Sequence, residues 1–277
     1  LMTSVIDNNA KVSEYILSCR QMGIPILPPD INEGQSGFSV SGDAIRYGLC
    51  AIKSVGKNVV DAIIRDREEN GLYTSVEDFV ERMGNKEVNR RTLENFAKSG
   101  AMDTLPGNRR QKVMVAPEIL DRKNRDKKNT LDGQMSLFDF AAEDDRKQYQ
   151  ITMPDVPEYP KAELLAFEKE LLGVYVSGHP MEEYMETWKN SITAKTSDFL
   201  VDEESGEAVV HDNDRVTVGG MIAGKVIKTT RTGKMMAFIT VEDIVGAVEV
   251  LVFPRDFELY RNQLVEEARV FVRGRVS

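Results

Sequence analysis

Hydrophobic positions recur with two different periods along this chain. Between residues 44 and 104 they lie three or four positions apart, as in Val55, Val59, Val60 and Ile63, which predicts several short helices. From Arg215 onward they alternate with polar positions, which predicts strands. We therefore expect a helical part followed by a β part.

Capping signals set the bounds of the predicted helices. Ser75 and Asn89 are favoured N-cap residues and predict helices over 76–83 and 90–98, and Gly71 predicts the end of an earlier helix. The proline-rich stretch 24–30 ends an N-terminal helix. A further amphipathic helix is predicted over 161–172, after a linker-like stretch that is rich in acidic residues and proline.

The segment 52–60 predicts a tight turn between two helices. The backbone amides of Gly56, Lys57 and Asn58 would begin the second helix without intrahelical acceptors, and such amides bind phosphate well. This is a helix-hairpin-helix pattern, which contacts the DNA backbone rather than the bases. The alternative is an ordinary turn capped by glycine.

A weaker copy of the same pattern lies over 96–102 and is followed by two arginines. Two copies suggest a tandem unit that grips both strands of a duplex. The predicted duplex-binding residues are Lys53, Ser54, Val55, Gly56, Lys57, Asn58, Lys98, Ser99, Gly100, Arg109 and Arg110.

An apolar cluster interrupts the polar linker. A segment without its own core cannot bury these side chains, which favours docking into a partner protein. The alternative is that the cluster packs against its own domain. The predicted docking residues are Gln134, Met135, Ser136, Leu137 and Phe138.

The β part predicts a known barrel topology. Strands over 216–226, 235–241, 247–253 and 269–276, with a helix over 256–264 before the last one, follow the order of a five-stranded oligonucleotide-binding (OB) barrel that lacks its fifth strand. A basic groove with an aromatic platform is how such barrels hold single strands. The predicted residues are Lys225, Lys228, Arg231, Lys234 and Phe238, although Phe238 could instead belong to the core.

Charge and composition narrow the function. The net charge is −9, yet 45–128 carries +5 and 214–277 carries +2, separated by −13 over 129–213. Two basic segments favour nucleic acid as a partner, although charged runs are often only solvated surface. Two cysteines and two histidines do not suit a disulfide framework or a histidine-rich metal site, and no apolar run is long enough to cross a membrane.

No residue pattern predicts catalysis. The Gly-Lys pairs at 56–57 and 233–234 lack the remainder of a phosphate-binding P-loop, and adjacent acidic pairs such as Asp144-Asp145 lack the strand context of a metal-dependent nuclease. We therefore predict no catalytic residue and no metal ligand.

Six segments together resemble one protein family. They cover 23–32, 46–56, 99–103, 134–138, 171–180 and 236–243. In sequence and order they are similar to the C-terminal half of the catalytic alpha subunit of bacterial DNA polymerase III, a replicative DNA-directed DNA polymerase (a nucleotidyltransferase).

The resemblance implies a fold class and a domain order. The fold class is multi-domain α plus β, with a helical tandem helix-hairpin-helix domain followed by a truncated OB-fold β-barrel. The implied domains are the end of the fingers and a connector (1–40), the tandem helix-hairpin-helix (41–120), a linker with a clamp-binding peptide (121–160), a helical connector (161–213) and an incomplete OB fold (214–277).

The resemblance also implies a function and partners. The chain would hold primer–template DNA and dock on the sliding clamp (beta subunit) through 134–138, beside other polymerase III holoenzyme subunits, in the bacterial cytoplasm at the nucleoid. As a fragment it would not polymerise DNA alone, would carry no cofactor and would bind no membrane, with Mg²⁺ expected in the palm domain of the parent protein. The alternative is an OB-fold module of another class, such as a tRNA anticodon-binding domain.

Overall fold

The computed structural model describes residues 2–6, 8–84, 88–131, 152–201 and 206–277. These residues form two compact units, Leu1–Gly178 and His179–Ser277. The predicted helical connector 161–213 is divided between them, because residues 161–178 belong to the first unit and the remainder to the second.

The first unit is mainly helical. Its α-helices are α1 (Asn9–Gln21), α2 (Lys57–Asn70), α3 (Val76–Met83), α4 (Arg90–Lys98), α5 (Arg109–Leu131) and α6 (Lys161–Leu172), with 3₁₀ turns at Met2–Val5 and Leu49–Ala51. Three short strands, β1 (Ile26–Leu27), β2 (Ser39–Ser41) and β3 (Ala44–Arg46), form a small sheet in the order β1-β3-β2.

The predicted bounds of α3, α4 and α6 are confirmed. The Ser75 hydroxyl accepts from the Asp78 amide at 3.0 Å, and the Asn89 side chain accepts from the Thr92 amide at 3.0 Å. Gly71 ends α2 with a φ of 84°, a left-handed value that glycine adopts without strain. These bounds depend on neighbouring residues only, which is why the sequence predicts them well.

One continuous core holds the helices of the first unit together. Val60, Ile63, Phe79, Leu93 and Phe96 are fully buried in it. The Tyr47 hydroxyl donates to the Leu172 carbonyl at 2.6 Å, which ties α6 to the chain before the first hairpin. Helix α6 is therefore a part of the helical unit and not a spacer.

The second unit is a curled antiparallel sheet. Its long strands are β4 (Arg215–Thr229), β5 (Met235–Glu242), β6 (Ala247–Val252) and β7 (Arg269–Arg275), in the order β6-β5-β4-β7. Short helical segments at Glu182–Tyr184, α7 (Met185–Ser191) and Thr196–Phe199 precede the sheet, and α8 (Pro254–Tyr260) lies between β6 and β7. The predicted element order and fold class are confirmed.

Helix α8 and strand β4 of the second unit differ in detail from the prediction. Helix α8 spans Pro254–Tyr260 instead of 256–264, because a proline at its first position starts it early and the amides of Gln263 and Leu264 turn back to the Tyr260 carbonyl. Strand β4 has an irregular register between Ile222 and Gly224, where it pairs with β5. Such a bulge bends a strand and changes which side chains share a face.

Candidate nucleic-acid interface

Two buried side chains and two hydrogen bonds fix the first hairpin to the helical core. Ile52 and Val55 are buried beneath it. The Lys53 amide donates to the Leu171 carbonyl at 2.9 Å, and the Lys53 carbonyl accepts from the side-chain amide of Asn95 at 2.8 Å. Asn95 on α4 thus holds the turn in one position, a role that its sequence context did not reveal.

Three consecutive backbone amides lie at the point where the first hairpin leads into helix α2. In the described part of the chain, no hydrogen bond is donated by the amides of Gly56, Lys57 or Asn58. All three residues are exposed, and so are Lys53 and Ser54. Unpaired amides at the N-terminus of the 14-residue helix α2, with two lysines nearby, form a surface suited to an anion such as phosphate.

The structure gives the backbone conformation of this hairpin and corrects two predictions about it, for Val55 and for the helix before the turn. The residue in the left-handed conformation is Ser54, with a φ of 63°, whereas Gly56 has an ordinary φ of −77°. No atom lies within 4 Å of where a Gly56 Cβ would stand, so the glycine leaves open space over the amides.

Val55 is buried and its amide donates to the Ile52 carbonyl, so we correct its predicted DNA contact to a core role. Only a 3₁₀ turn, Leu49–Ala51, precedes the hairpin in place of the expected helix.

The second hairpin is buried. Ser99 is fully buried, and a Cβ on Gly100 would stand 2.4 Å from a guanidinium nitrogen of Arg109. Arg109 itself is buried between Asp103, at 2.7 Å, and Glu168, at 3.5 Å. These three predicted duplex-binding residues therefore stabilise the helical unit, and direct contact with DNA would require the core to open.

The remaining two residues of that set are engaged at the surface. Lys98 forms an ion pair with Glu94 at 2.8 Å and lies 5.0 Å from the centre of the Phe167 ring. The Arg110 guanidinium lies 5.8 Å from the centre of the Tyr159 ring, and its backbone amide donates to Glu158. The first hairpin is therefore the better candidate for duplex binding.

The outer face of the β sheet carries an aromatic platform. Ala237, Ile239 and Val241 of β5 face the core, so Phe238 between them faces outward and is half-buried. The Lys228 ammonium lies 4.3 Å from the centre of the Phe238 ring, close enough for a cation–π contact. The structure thus removes the alternative in which Phe238 belongs to the core.

Two neighbours extend this platform. Phe238 pairs with Val226 on β4 and with Leu251 on β6, and both side chains are exposed, by 56% and 42%. Sequence reasoning missed them, although the alternation in β6, where Val248, Val250 and Val252 pack inward, indicates that Leu251 points out.

The four basic residues predicted to bind single strands do not lie on one face of the β sheet. Lys228 lies on the platform, and Arg231 and Lys234 are exposed in the β4–β5 turn. Lys225 pairs with inward-facing Ile239 and its ammonium donates to the Leu264 carbonyl. Lys225 therefore belongs to the other face of the sheet.

The predicted docking residues 134–138 lie outside the described residues. In the described part, no group of three or more His, Cys, Asp or Glu side chains is placed to hold a metal ion. Among the same residues, no helix is both long and apolar enough to span a membrane.

Two family models match the two units. A model described as a helix-hairpin-helix motif matches residues 23–112, and one described as an OB-fold nucleic acid binding domain matches 216–277. The first range contains both hairpins and the second contains the aromatic platform.

Curated relatives match the entire chain. It is 40% identical over 277 residues to DNA polymerase III subunit alpha of Borreliella burgdorferi, covering all of this chain and 24% of that protein. It is 33% identical over 281 residues to the same subunit of Saccharopolyspora erythraea (100% and 23%) and 36% identical over 270 residues to that of Thermus aquaticus (96% and 21%). The chain therefore spans about a quarter of the length of these relatives, and its resemblance to the DNA polymerase III alpha subunit family is confirmed.

Proposed function

We propose that this chain holds primer–template DNA, with duplex on the first hairpin and single-stranded template on the platform of Lys228 and Phe238. The observation that carries the duplex part is the set of three exposed amides at Gly56, Lys57 and Asn58, which have no acceptor in the described chain. Phosphate oxygens are acceptors common to every sequence, so the contact would be independent of base sequence.

The platform supports the single-strand part of the proposal. Bases stack on exposed aromatic rings, and stacking tolerates any base because each has a π-face. A base that stacks on Phe238 would displace the Lys228 ammonium, which then faces the phosphate backbone. The exposed apolar side chains of Val226 and Leu251 would widen the contact area.

The similarity to these relatives supports a wider proposal about the protein to which this chain belongs. We infer that the chain works as part of a DNA polymerase III alpha subunit in the bacterial cytoplasm, where DNA grips and a clamp-binding peptide on one chain raise processivity through effective concentration. Polymerase chemistry, with its Mg²⁺, would belong to parts of the relatives that this chain does not match. The clamp and other holoenzyme subunits are proposed partners.

The proposed function predicts salt-dependent binding to three labelled DNAs, which are a duplex, a single strand and a primer–template junction. Fluorescence anisotropy of the 277-residue chain should show tightest binding to a primer–template junction, because both surfaces then act together. The slope of log K against log salt should be about −0.9 per duplex phosphate contacted. Absence of binding to all three DNAs at low salt would contradict the proposal, and a preference for structured tRNA would favour an anticodon-binding module.

A matched pair of variants separates the two surfaces in this experiment. Phe238→Ala should weaken single-strand binding by about 1–3 kcal/mol for each base that stacks there, and leave duplex binding unchanged. Tyr260→Ala removes an aromatic ring from α8 that is 49% exposed, and it should change neither. Equal behaviour of the two variants would argue against the platform.

Replacing Gln134, Leu137 and Phe138 together by alanine should abolish capture of the sliding clamp while DNA binding persists, because an apolar peptide loses its anchoring side chains. The control replaces Gln148, Tyr149 and Gln150 in the same linker, which should leave capture intact. Surface plasmon resonance with immobilised clamp measures both. Undiminished capture by the first variant would show that the peptide is not the docking element.

A further inference from the structure

The outer face of strand β7 carries a row of basic and aromatic side chains. Val270 and Val272 pack inward against the core of the second unit, so the residues that alternate with them face outward. All of these outward residues are exposed, as is Arg215, which lies directly opposite Arg275 on the neighbouring strand β4. We call this set the arginine row, and its members are Arg215, Arg269, Phe271, Arg273 and Arg275.

The charges at one end of the arginine row have no counter-charge in the described chain. Among the described residues, no ion pair involves Arg215, Arg273 or Arg275. The Arg275 guanidinium donates to the neutral side chain of Asn213 at 3.3 Å. The carboxylate of Asp214, next to Arg215 in sequence, accepts instead from the amide three positions before it at 2.8 Å. Like charges directly opposite each other on paired strands repel, so an anion bound at this end would relieve the repulsion.

Two exposed aromatic rings lie at the other end of the row. A Cβ on Gly219 of β4 would stand 2.6 Å from a ring carbon of Phe271, so that ring lies against the glycine, and Phe271 is still 49% exposed. The Arg269 guanidinium lies 4.4 Å from the centre of the Tyr184 ring and donates to its hydroxyl at 3.1 Å. Tyr184 is 39% exposed. Each ring is therefore held in place and keeps a surface on which a base can stack.

The spacing of the arginines suits an extended chain of anions. Successive outward residues of a strand, such as Arg273 and Arg275, are about 6.6 Å apart, which is twice the rise per residue. Arg215 and Arg273 are diagonal neighbours across the strand pair, about 7–8 Å apart. Guanidinium groups bind phosphate oxygens well, and this arrangement lets each contact a different phosphate of one strand. Stacking on Phe271 requires an unpaired base, which favours a single strand over a duplex.

We propose that the arginine row is a second contact for single-stranded DNA, in which Arg215, Arg273 and Arg275 hold phosphates and Phe271 stacks on a base. The proposal deepens the proposed function, on which it rests for the nature of the ligand, and it uses no residue of the Phe238 platform. Arg215 and Val226, the platform neighbour on β4, are at most about 36 Å apart at about 3.3 Å per residue. One single strand several nucleotides long therefore reaches both surfaces.

The test measures fluorescence anisotropy of a labelled oligothymidylate with the 277-residue chain across a salt series. The double variant Arg215→Gln/Arg273→Gln should bind on the order of tenfold more weakly at low salt, and its salt slope should be less negative by about 1.4, at about 0.7 per phosphate. The control, Arg255→Gln/Arg261→Gln, removes two exposed arginines in and after α8 and changes the net charge equally. Equal affinities and slopes of the two double variants would overturn the proposal.

Phe238→Ala in the same assay separates this proposal from the platform. Weaker binding of Phe238→Ala together with wild-type binding of Arg215→Gln/Arg273→Gln would leave the platform standing and overturn the arginine row. The opposite result would support the row and contradict the platform.

Phe271→Leu tests the aromatic ring, because leucine fills space against Gly219 and lacks a π-face. It should weaken binding of the oligothymidylate about fivefold or more, whereas Tyr260→Leu, which changes a ring that is also 49% exposed, should bind as the wild-type chain does. The Trp188 indole donates to the Gly219 carbonyl at 2.7 Å, so its fluorescence reports that β4 remains folded beneath the ring. A folded Phe271→Leu variant that binds as tightly as Tyr260→Leu would contradict the proposed stacking.

Competition with polyglutamate distinguishes DNA from an acidic segment of a protein. Polyglutamate of the same total charge has no bases to stack, so it should displace the oligothymidylate only at concentrations at least about tenfold higher. Displacement at equal concentration would overturn the assignment to DNA and identify an acidic peptide as the ligand of the arginine row.

Discussion

Glu168→Ala is expected to lower the free energy of unfolding of the helical unit by about 3–5 kcal/mol, since a buried ion pair loses one partner. Glu168 is fully buried. Its carboxylate accepts from the amides of Val176 at 2.8 Å and Ser177 at 2.9 Å, and it faces the Arg109 guanidinium at 3.5 Å. Alanine would leave two amides without an acceptor and a buried guanidinium with Asp103 as its remaining carboxylate.

Two probes and two variants isolate this effect. Far-UV circular dichroism in urea reports mainly on the helical unit, whereas the single tryptophan, Trp188, lies in the second unit and reports on it by fluorescence. Glu170→Ala changes an exposed carboxylate on the same helix and should alter stability by no more than about 0.5 kcal/mol. The free energy of unfolding of Glu168→Gln should lie between those of Glu168→Ala and the wild-type chain, because glutamine keeps an acceptor and loses the charge. A dichroism midpoint equal to that of the wild-type chain would show that the ion pair contributes little.

Local signals explain what the sequence predicts well. The N-caps at Ser75 and Asn89 act on amides three residues away, and the two-residue period of β5 decides which side chains face the core. Such features involve neighbours along the chain only. The bounds of α3 and α4 and the alternation of buried side chains in β5 depend on them.

Long-range contacts explain what the sequence does not predict. The second hairpin resembles the first in sequence. Yet the Arg109 amide at the start of α5 donates to Glu158, 49 positions away, and the Arg109 guanidinium contacts Glu168, 59 positions away. A pattern of glycine and basic residues is the same whether its amides meet solvent or a distant carboxylate. The burial of Ser99, Gly100 and Arg109 therefore became visible only in the folded chain.

The β part shows a missed signal that was available. Lys225 and Lys228 are three positions apart, and an odd spacing places two strand residues on opposite faces. Treating all basic residues of β4 as one cluster ignored this rule. The register then shows which of them joins Phe238, because Val226 is its partner on β4 while Lys225 pairs with Ile239.

Asp243 shows a further limit of motif-based reasoning. It ends the segment 236–243 that carries part of the family resemblance, and the sequence analysis assigned it no role. In the structure it is buried and accepts from the Thr196 hydroxyl at 2.6 Å and from the amides of Val245 and Gly246 at 2.9 Å. It therefore organises the β5–β6 turn.

Lys57→Pro should weaken duplex binding about 10- to 100-fold more than Lys57→Ala, because proline removes the backbone donor in addition to the side-chain charge. A hydrogen bond to a charged group contributes about 1.5–3 kcal/mol. Position 57 tolerates proline, since it is the first residue of α2 and its predecessor, Gly56, already has the extended ψ of 148° that proline requires before it.

The pair of variants tests the amide itself. Both remove the same lysine charge, so both should make the salt slope less negative by about 0.9. Only Lys57→Pro removes an amide, and single-strand binding on the Phe238 platform should be the same in both. Matching circular dichroism spectra establish that α2 is intact. Equal duplex affinities of the two variants would show that the hairpin attracts DNA through its lysines and that the exposed amides of α2 do not bind phosphate.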